Sequence, residues 1–256
     1  MKDRAIDYLR AQGLSHVDML QPILQGTAQL LCADERGVLL LETASSAHMM
    51  TAASPDAACA LWDLVQTARL VSAHQSFAAQ EAARRFPLRI SLCCHQAAWL
   101  RQAPPAAPPS PATTRLLTMA HLPAVCAHYS HDIGADYLCG RIRAGQMLGA
   151  FIDGQLAGFI GLHEEGSMGM LEVLPDHRRC GIGSLLLASF AARLLRDGLV
   201  PFSQFSTEND ASRALHQSLG FSISTESLYW LEPSLLIVLS IIGLPSLSTS
   251  TVKPPA

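Results

Sequence analysis

The 256-residue sequence predicts an α/β chain in two parts, and three observations carry that prediction. The apolar run Met168 to Leu174 reads as a strand. It breaks at Pro175 and passes through Gly181-Ile182-Gly183 into a helical pattern that continues to about Arg196. Phe202 to Thr207 is a second strand, feeding a helix over Ala211 to Leu219 that Asn209 or Asp210 caps and Gly220 stops. Residues 101–113 hold five prolines and no large apolar side chain, the composition of an extended linker between residues 1–100 and residues 114–232.

In the first part, Ala5 to Ala11 reads as a short helix, and Gln29 to Ala33 and Val38 to Glu42 as strands around the turn Asp34-Glu35-Arg36-Gly37. Asp56 to Gln66 is helical, with Ser54 as cap and Pro55 in the first turn. Leu70 to Ser72 is strand-like, Phe77 to Phe86 helical, and Leu88 to Cys94 a strand. No catalytic constellation stands out there, and no internal repeat is evident. In the second part, Arg115 to Met119 reads as a strand, and Leu122 to Tyr129 and Ala135 to Ala144 as helices. Met147 to Ile152 and Leu156 to His163 form an antiparallel hairpin across Asp153-Gly154. Ile223 to Leu231 is the last strand. Residues 233–256 begin with the apolar run Ser234 to Leu244, read as an extra strand or a loosely ordered appendage, and end in a Ser/Thr/Pro tail.

Composition narrows the function classes. Hydrophobic residues make up 49% of the chain, enough for real cores. Eighteen basic against 21 acidic residues give a net charge of −3 with no basic stripe, which argues against nucleic acid as a partner. No apolar stretch reaches the roughly 18–20 residues of a membrane span, and the first residues lack a signal-peptide core. Seven cysteines form no Cys-x-x-Cys, so reduced thiols in a cytoplasmic chain are expected. His128-x-x-His131-Asp132 has metal-like spacing but no third ligand, and no metal is predicted.

The chemistry concentrates at 173–184. A helix that starts inside a glycine turn leaves several main-chain N–H groups without acceptors, and such groups bind phosphate. The segment spells neither Gly-x-Gly-x-x-Gly, since position 186 is Leu, nor Gly-Lys-Ser/Thr. What stands is Arg178-x-x-Gly181-x-Gly183 after Val173-x-Pro175. This resembles the acyl-CoA signature of the GNAT superfamily of N-acyltransferases. Asn209-x-x-Ser212-x-x-Leu215, followed by Leu219-Gly220-Phe221, resembles that superfamily's second motif.

The resemblance covers residues 114–232 and implies the GNAT acyl-CoA N-acyltransferase fold, with a mixed, mostly antiparallel sheet. A smaller α/β domain of unassigned role, residues 1–100, would precede it. The whole layout is loosely similar to the two-domain glycine N-acyltransferase-like group. The resemblance also implies a donor notch where the Met168–Leu174 strand splays from the Phe202–Thr207 strand. There the backbone of Leu171, Val173 and Leu174 would pair with the pantetheine arm of acetyl-CoA. Arg178, Arg179, Cys180, Gly181, Ile182, Gly183 and Ser184 would hold the pyrophosphate, and Asn209 would meet the pantetheine. Cys180 is read there as a small, non-catalytic residue.

Glu172 is the candidate general base, provided its side chain faces the notch, because residues alternate along a strand. His216 stands where the superfamily often has a tyrosine general acid. It would either protonate the leaving thiolate or have lost that job, and Tyr229 is the fallback. Tyr129, His131, Asp132 and Asp136 lie where this fold admits the acceptor. The expected activity is transfer of a short acyl group to a small amine by direct attack. A protein N-terminus or lysine as acceptor, and a catalytically silent acyl-CoA-binding module, are the alternatives. A second copy of the chain is left open as a partner.

Overall fold

The computed structural model describes residues 1–129 and 134–233. The first half runs α1 (Lys2–Ala11), α2 (Val17–Gln25), β1 (Ala28–Asp34), β2 (Gly37–Glu42), β3 (Ala47–Ala52), α3 (Pro55–Trp62), β4 (Val71–Ala73), α4 (Ser76–Arg85) and β5 (Leu88–Ala98). The second runs β6 (Thr113–Leu116), α5 (Leu122–His128), α6 (Ala135–Arg143), β7 (Met147–Ile152), β8 (Gln155–Leu162), β9 (Met168–Val173), α7 (Ile182–Arg196), β10 (Phe202–Ser206), α8 (Asp210–Leu219) and β11 (Ser222–Pro233). The residues 234–256 expected to form an apolar run and tail lie outside the described residues, as do His131 and Asp132.

Two elements escape the sequence reading for physical reasons. Helix α2 carries Pro22 in its interior, which normally argues against a helix. Burial of Met19 and Ile23 against Ala5 and Leu9 of α1 and Leu40 and Met49 of the sheet outweighs that penalty. Strand β3, Ala-His-Met-Met-Thr-Ala, has a single β-branched residue and forms because β2 and β4 flank it.

Contrary to the expectation of no internal repeat, the halves share one element order apart from β6, which precedes the helices of the second half and has no counterpart in the first. Each has two helices, a three-stranded antiparallel meander, a helix, a strand parallel to the third meander strand, a helix and a final strand. All eleven strands make one sheet in the order β1-β2-β3-β4-β11-β5-β10-β9-β8-β7-β6. The final strands are exchanged. β5 leaves its own half to pair with β10, and β11 leaves its half to pair with β4, while β5 and β11 pair with each other. The sheet therefore continues through the boundary that the linker draws in the sequence. Four helix-covered cores result, around Trp62 and Leu61, Leu9 and Met19, Phe190 and Leu186, and Phe159 and Val125, and a smaller fifth cluster of Val17, Ala98 and Phe202 joins the halves.

The linker packs as well as connects. Trp99 Nε1–H donates to Ala103 O at 2.8 Å, Pro105 is buried, and Pro108 Cγ lies beside Gly181.

Candidate active site

The parallel strands β9 and β10 share a single register pair, Ser203 with Met168, and then separate. The cause is local. Met170 adopts φ of 51°, a left-handed conformation rare for a long side chain. At this bulge the β8–β9 register shifts by one residue, from Phe159 opposite Glu172 to Gly161 opposite Gly169. The extra residue bends β9 away from β10. A cavity of about 480 Å³ fills the gap, with Met170 and Leu171 on one wall, Phe205 and Ser206 on the other, and Asn209 and His216 of α8 at its side.

The bulge also sorts the side chains of β9. Leu171 and Val173 pack with the α7 core, whereas Met170 and Leu174 pack with the α5–α6 core. Glu172 alternates with Leu171 and Val173, and its charge acts on Tyr129 at the end of α5. It does not line the 480 Å³ cavity; Tyr129 does. Burial first, and the Glu172 charge second, push the Tyr129 phenol up to about 12. Tyr129 therefore keeps its proton at neutral pH.

At the foot of the notch, Gly181 holds φ of 75° as the N-cap of α7 and no side chain caps that helix. The six consecutive N–H groups of Arg179 to Ser184 have no hydrogen-bond acceptor among the described residues. Arg179, at φ of 63°, and Gly181 make the turn that sets them free. A run of this kind at a helix N-terminus matches the chemistry of a phosphate or diphosphate. Arg178 folds back, its Nε–H donating to Val173 O at 3.1 Å, and Cys180 is exposed with its thiol on Arg178 O.

Several expected site residues change standing. Leu174 has no free N–H for a ligand, since it donates to Ala157 O; its carbonyl accepts from His177 and keeps one lone pair. Val173 O accepts from Arg178 Nε–H, which leaves it one lone pair. Leu171 is the one of the three that lines the cavity. Asn209 lines it too, but its Oδ1 accepts from Ser212 N–H at 2.9 Å as the cap of α8, leaving its amide N–H groups as donors.

His216 is buried, stacked on Phe205 and edge-on to Phe221. Its Nδ1–H donates to Ser212 O at 2.8 Å, so the neutral ring carries a bare Nε2. Burial lowers its pKa against the smaller opposing effect of that bond. In this state it has no proton to give a thiolate, which corrects the general-acid expectation. Tyr229 packs in the first-half core, away from the notch.

Sequence reading missed three groups. A second cavity of about 320 Å³ shares Ser91, Leu92, His163, Gln204 and Glu232 with the first. His163 stands at the junction, its Nδ1 3.1 Å from Tyr137 Oη. Its ring lies so close to Gly169 that a Cβ there would sit 2.5 Å from Nε2. Gly169 was the available signal, a glycine inside a strand that marks a close approach. Ser91 and Leu92 arrive on the exchanged β5 and carry no local signal.

Residues 147–231 match the family model described as FR47-like protein. No curated protein matches the chain. Among solved structures, the chain is similar to a Drosophila protein with a TM-score of 0.65 at 17% identity, covering 91% of this chain and 95% of that one. It is also similar to a GCN5-related N-acetyltransferase from Kribbella flavida, with a TM-score of 0.54 at 15% identity and coverage of 91% and 97%. A GCN5-related N-acetyltransferase-like protein from Streptococcus suis gives 0.53 at 12% identity, with coverage of 90% and 97%. At these identities the likeness is one of fold, and it spans both halves.

Proposed function

We propose that this chain is a member of the GNAT superfamily and that it moves an acetyl or other short acyl group from acyl-CoA to a primary amine. The observation that carries this reading is the run of six acceptor-free N–H groups at the start of α7, beside a strand pair that separates into a cavity. In this reading Arg179 to Ser184 hold the diphosphate, and the acyl-pantetheine arm enters between β9 and β10, along Leu171 and within reach of the Asn209 amide. The amine nitrogen attacks the thioester carbon, the new C–N bond forms, and the C–S bond breaks. Glu172, through water, accepts the proton that the attacking nitrogen loses. Tyr129, whose phenol stays protonated, supplies a proton to the departing sulfur.

The second cavity supports a choice of acceptor. Glu164, Glu165 and Glu232 line it; Arg89 pairs with Glu232 at 3.0 Å and Arg141 stands 3.9 Å from Glu164 behind the wall, so Glu165 is the carboxylate with no cationic partner among the described residues. That favours a cationic amine lacking a carboxylate over an amino acid, and a protein lysine satisfies the same chemistry. Seven free thiols support the cytoplasm as the compartment. Among the described residues no His, Cys, Asp or Glu cluster is placed to hold a metal ion, and the proposed steps use none. No helix of the described residues is long and apolar enough to cross a membrane.

One observation favours a second reading, a silent acyl-CoA-binding module: the usual acid position holds a histidine without a spare proton. Thiol release from acetyl-CoA, measured with putrescine, tyramine, ethylamine and glycine, separates the two. Turnover that is faster with putrescine and tyramine than with glycine is expected. Tight acetyl-CoA binding without turnover of any amine selects the silent module, and absence of acetyl-CoA binding sinks both.

A further inference from the structure

Gln204 on β10 lines both cavities, and its side-chain amide is held in one orientation by a chain of donors and acceptors that begins in the first half. Leu14 O is an acceptor only, so the Gln96 amide must turn its Nε2–H toward it, at 2.7 Å. Gln96 Oε1 therefore faces Gln204 and accepts from its Nε2–H at 3.0 Å. Gln204 Oε1 then accepts from Trp230 Nε1–H at 2.7 Å. Asp18 Oδ2, itself 3.1 Å from His74 Nε2, stands 3.4 Å from Gln204 Nε2 and opposes a flip of the amide. Gln96 and Asp18 are fully buried, so each bond in the chain is costly to leave unmade.

We infer that the first half is a working part of the acceptor site: through Gln96 and Asp18 it locks Gln204 with its carbonyl oxygen, carrying one spare lone pair, as the fixed acceptor for the N–H of the incoming amine. Gln204 is thus a positioning residue for the nucleophile, and this assignment rests on the acyltransferase reading above. An amine held by its N–H directs its lone pair elsewhere, which is what attack on a thioester requires. The exchange of β5 explains why Gln96 comes from the first half at all, since β5 pairs Gln96 directly opposite Gln204.

The test uses the full chain with acetyl-CoA and either putrescine or tyramine. Gln204→Leu and, one link further away, Gln96→Leu should each raise the KM for the amine about tenfold, the scale of one lost buried hydrogen bond. The KM for acetyl-CoA should stay put, while the melting temperature falls in each variant because a buried partner is left unbonded. Gln204→Glu, which cannot donate to Gln96, covers the case in which Gln96→Leu does not fold. The Trp230 indole proton in 15N–1H spectra reads the same chain without turnover, and should shift in Gln96→Leu. An unmoved indole resonance overturns the inference, as does an equal rise in both KM values. A wild-type chain that binds but never turns over sinks the transferase reading, while the indole signal still reports on the amide chain.

Discussion

The two halves start their first post-meander helix in opposite ways. Helix α3 is closed upon itself: Pro55 has no N–H, Ser54 Oγ accepts from Ala57 N–H at 3.1 Å, and Ala58 N–H donates to Ser54 O. Helix α7 is left open by Gly181, with its donors unspent. The strands in front differ to match. β3 and β4 stay paired over three residues, whereas β9 and β10 pair once and part at the Met170 bulge. One topology thus appears twice, once sealed for packing and once opened for a ligand. The difference teaches that the proposed anion site belongs to a cap and a bulge, not to the fold.

The largest expected effect comes from closing the open helix. Gly181→Asp puts a residue that tolerates positive φ at the cap, where its carboxylate takes the free N–H groups and repels a diphosphate. Affinity for acetyl-CoA measured by calorimetry should fall at least 100-fold, roughly 3 kcal/mol, with little change in melting temperature. Unchanged affinity would mean that the donor's phosphates lie elsewhere. Next comes the proposed proton donor, Tyr129, in the second half. Tyr129→Phe should lower kcat about 100-fold at constant acetyl-CoA affinity. Because the Tyr129 pKa is raised to about 12, its donor form persists as pH rises well past 10. A loss of rate through pH 9 in the wild type would assign the proton to another group.

Much of the open half was legible in the sequence. The glycine turn, the strand before it, the Asn209 cap and the Gly220 stop are local devices that leave local marks. The sealed half was read element by element but not as a repeat, because Ser54-Pro55 stands where the other half has Gly181. The bulge at Met170 left no mark, since methionine rarely takes that conformation and only its neighbours impose it. Strand exchange is non-local, so Ser91, Leu92 and Gln96 could not be assigned to the neighbourhood of Gln204, more than 100 residues on in sequence. His216 was found by motif position, but its role turned on the Ser212 carbonyl and on burial, which spacing does not encode.

The first half also predicts a weakness toward acid. His16 in the first half is buried, bonded to Ser15 and Thr51, and stacked on His74 at 4.0 Å. Burial first and the His74 charge second lower its pKa to about 2. A depressed folded pKa means that the unfolded chain binds the proton more readily. The stability involved is present above pH 6.5 and drains as pH falls from there toward 2. At pH 5 this amounts to about 2 kcal/mol. Urea unfolding of His16→Gln between pH 7 and pH 5 should show a shallower decline than the wild type. An identical slope would show that other groups carry the acid sensitivity.

The smallest effect tests the sealed half. In Ser54→Ala, α3 loses the one side-chain acceptor at its N-terminus, which costs about 1 kcal/mol, the usual worth of such a cap. Because β5 and β11 are exchanged, that loss should not stay within the first half. A single cooperative transition, moved a few degrees down for the whole chain, is expected by calorimetry. Acetyl-CoA affinity should not change, since Pro55 still denies that helix a free first donor and β3 still closes on β4. Two separate transitions would show instead that each half folds alone and that the exchanged strands are only a seam. A gain of affinity for inorganic phosphate or CoA in Ser54→Ala would show that the cap alone had kept a second anion site shut.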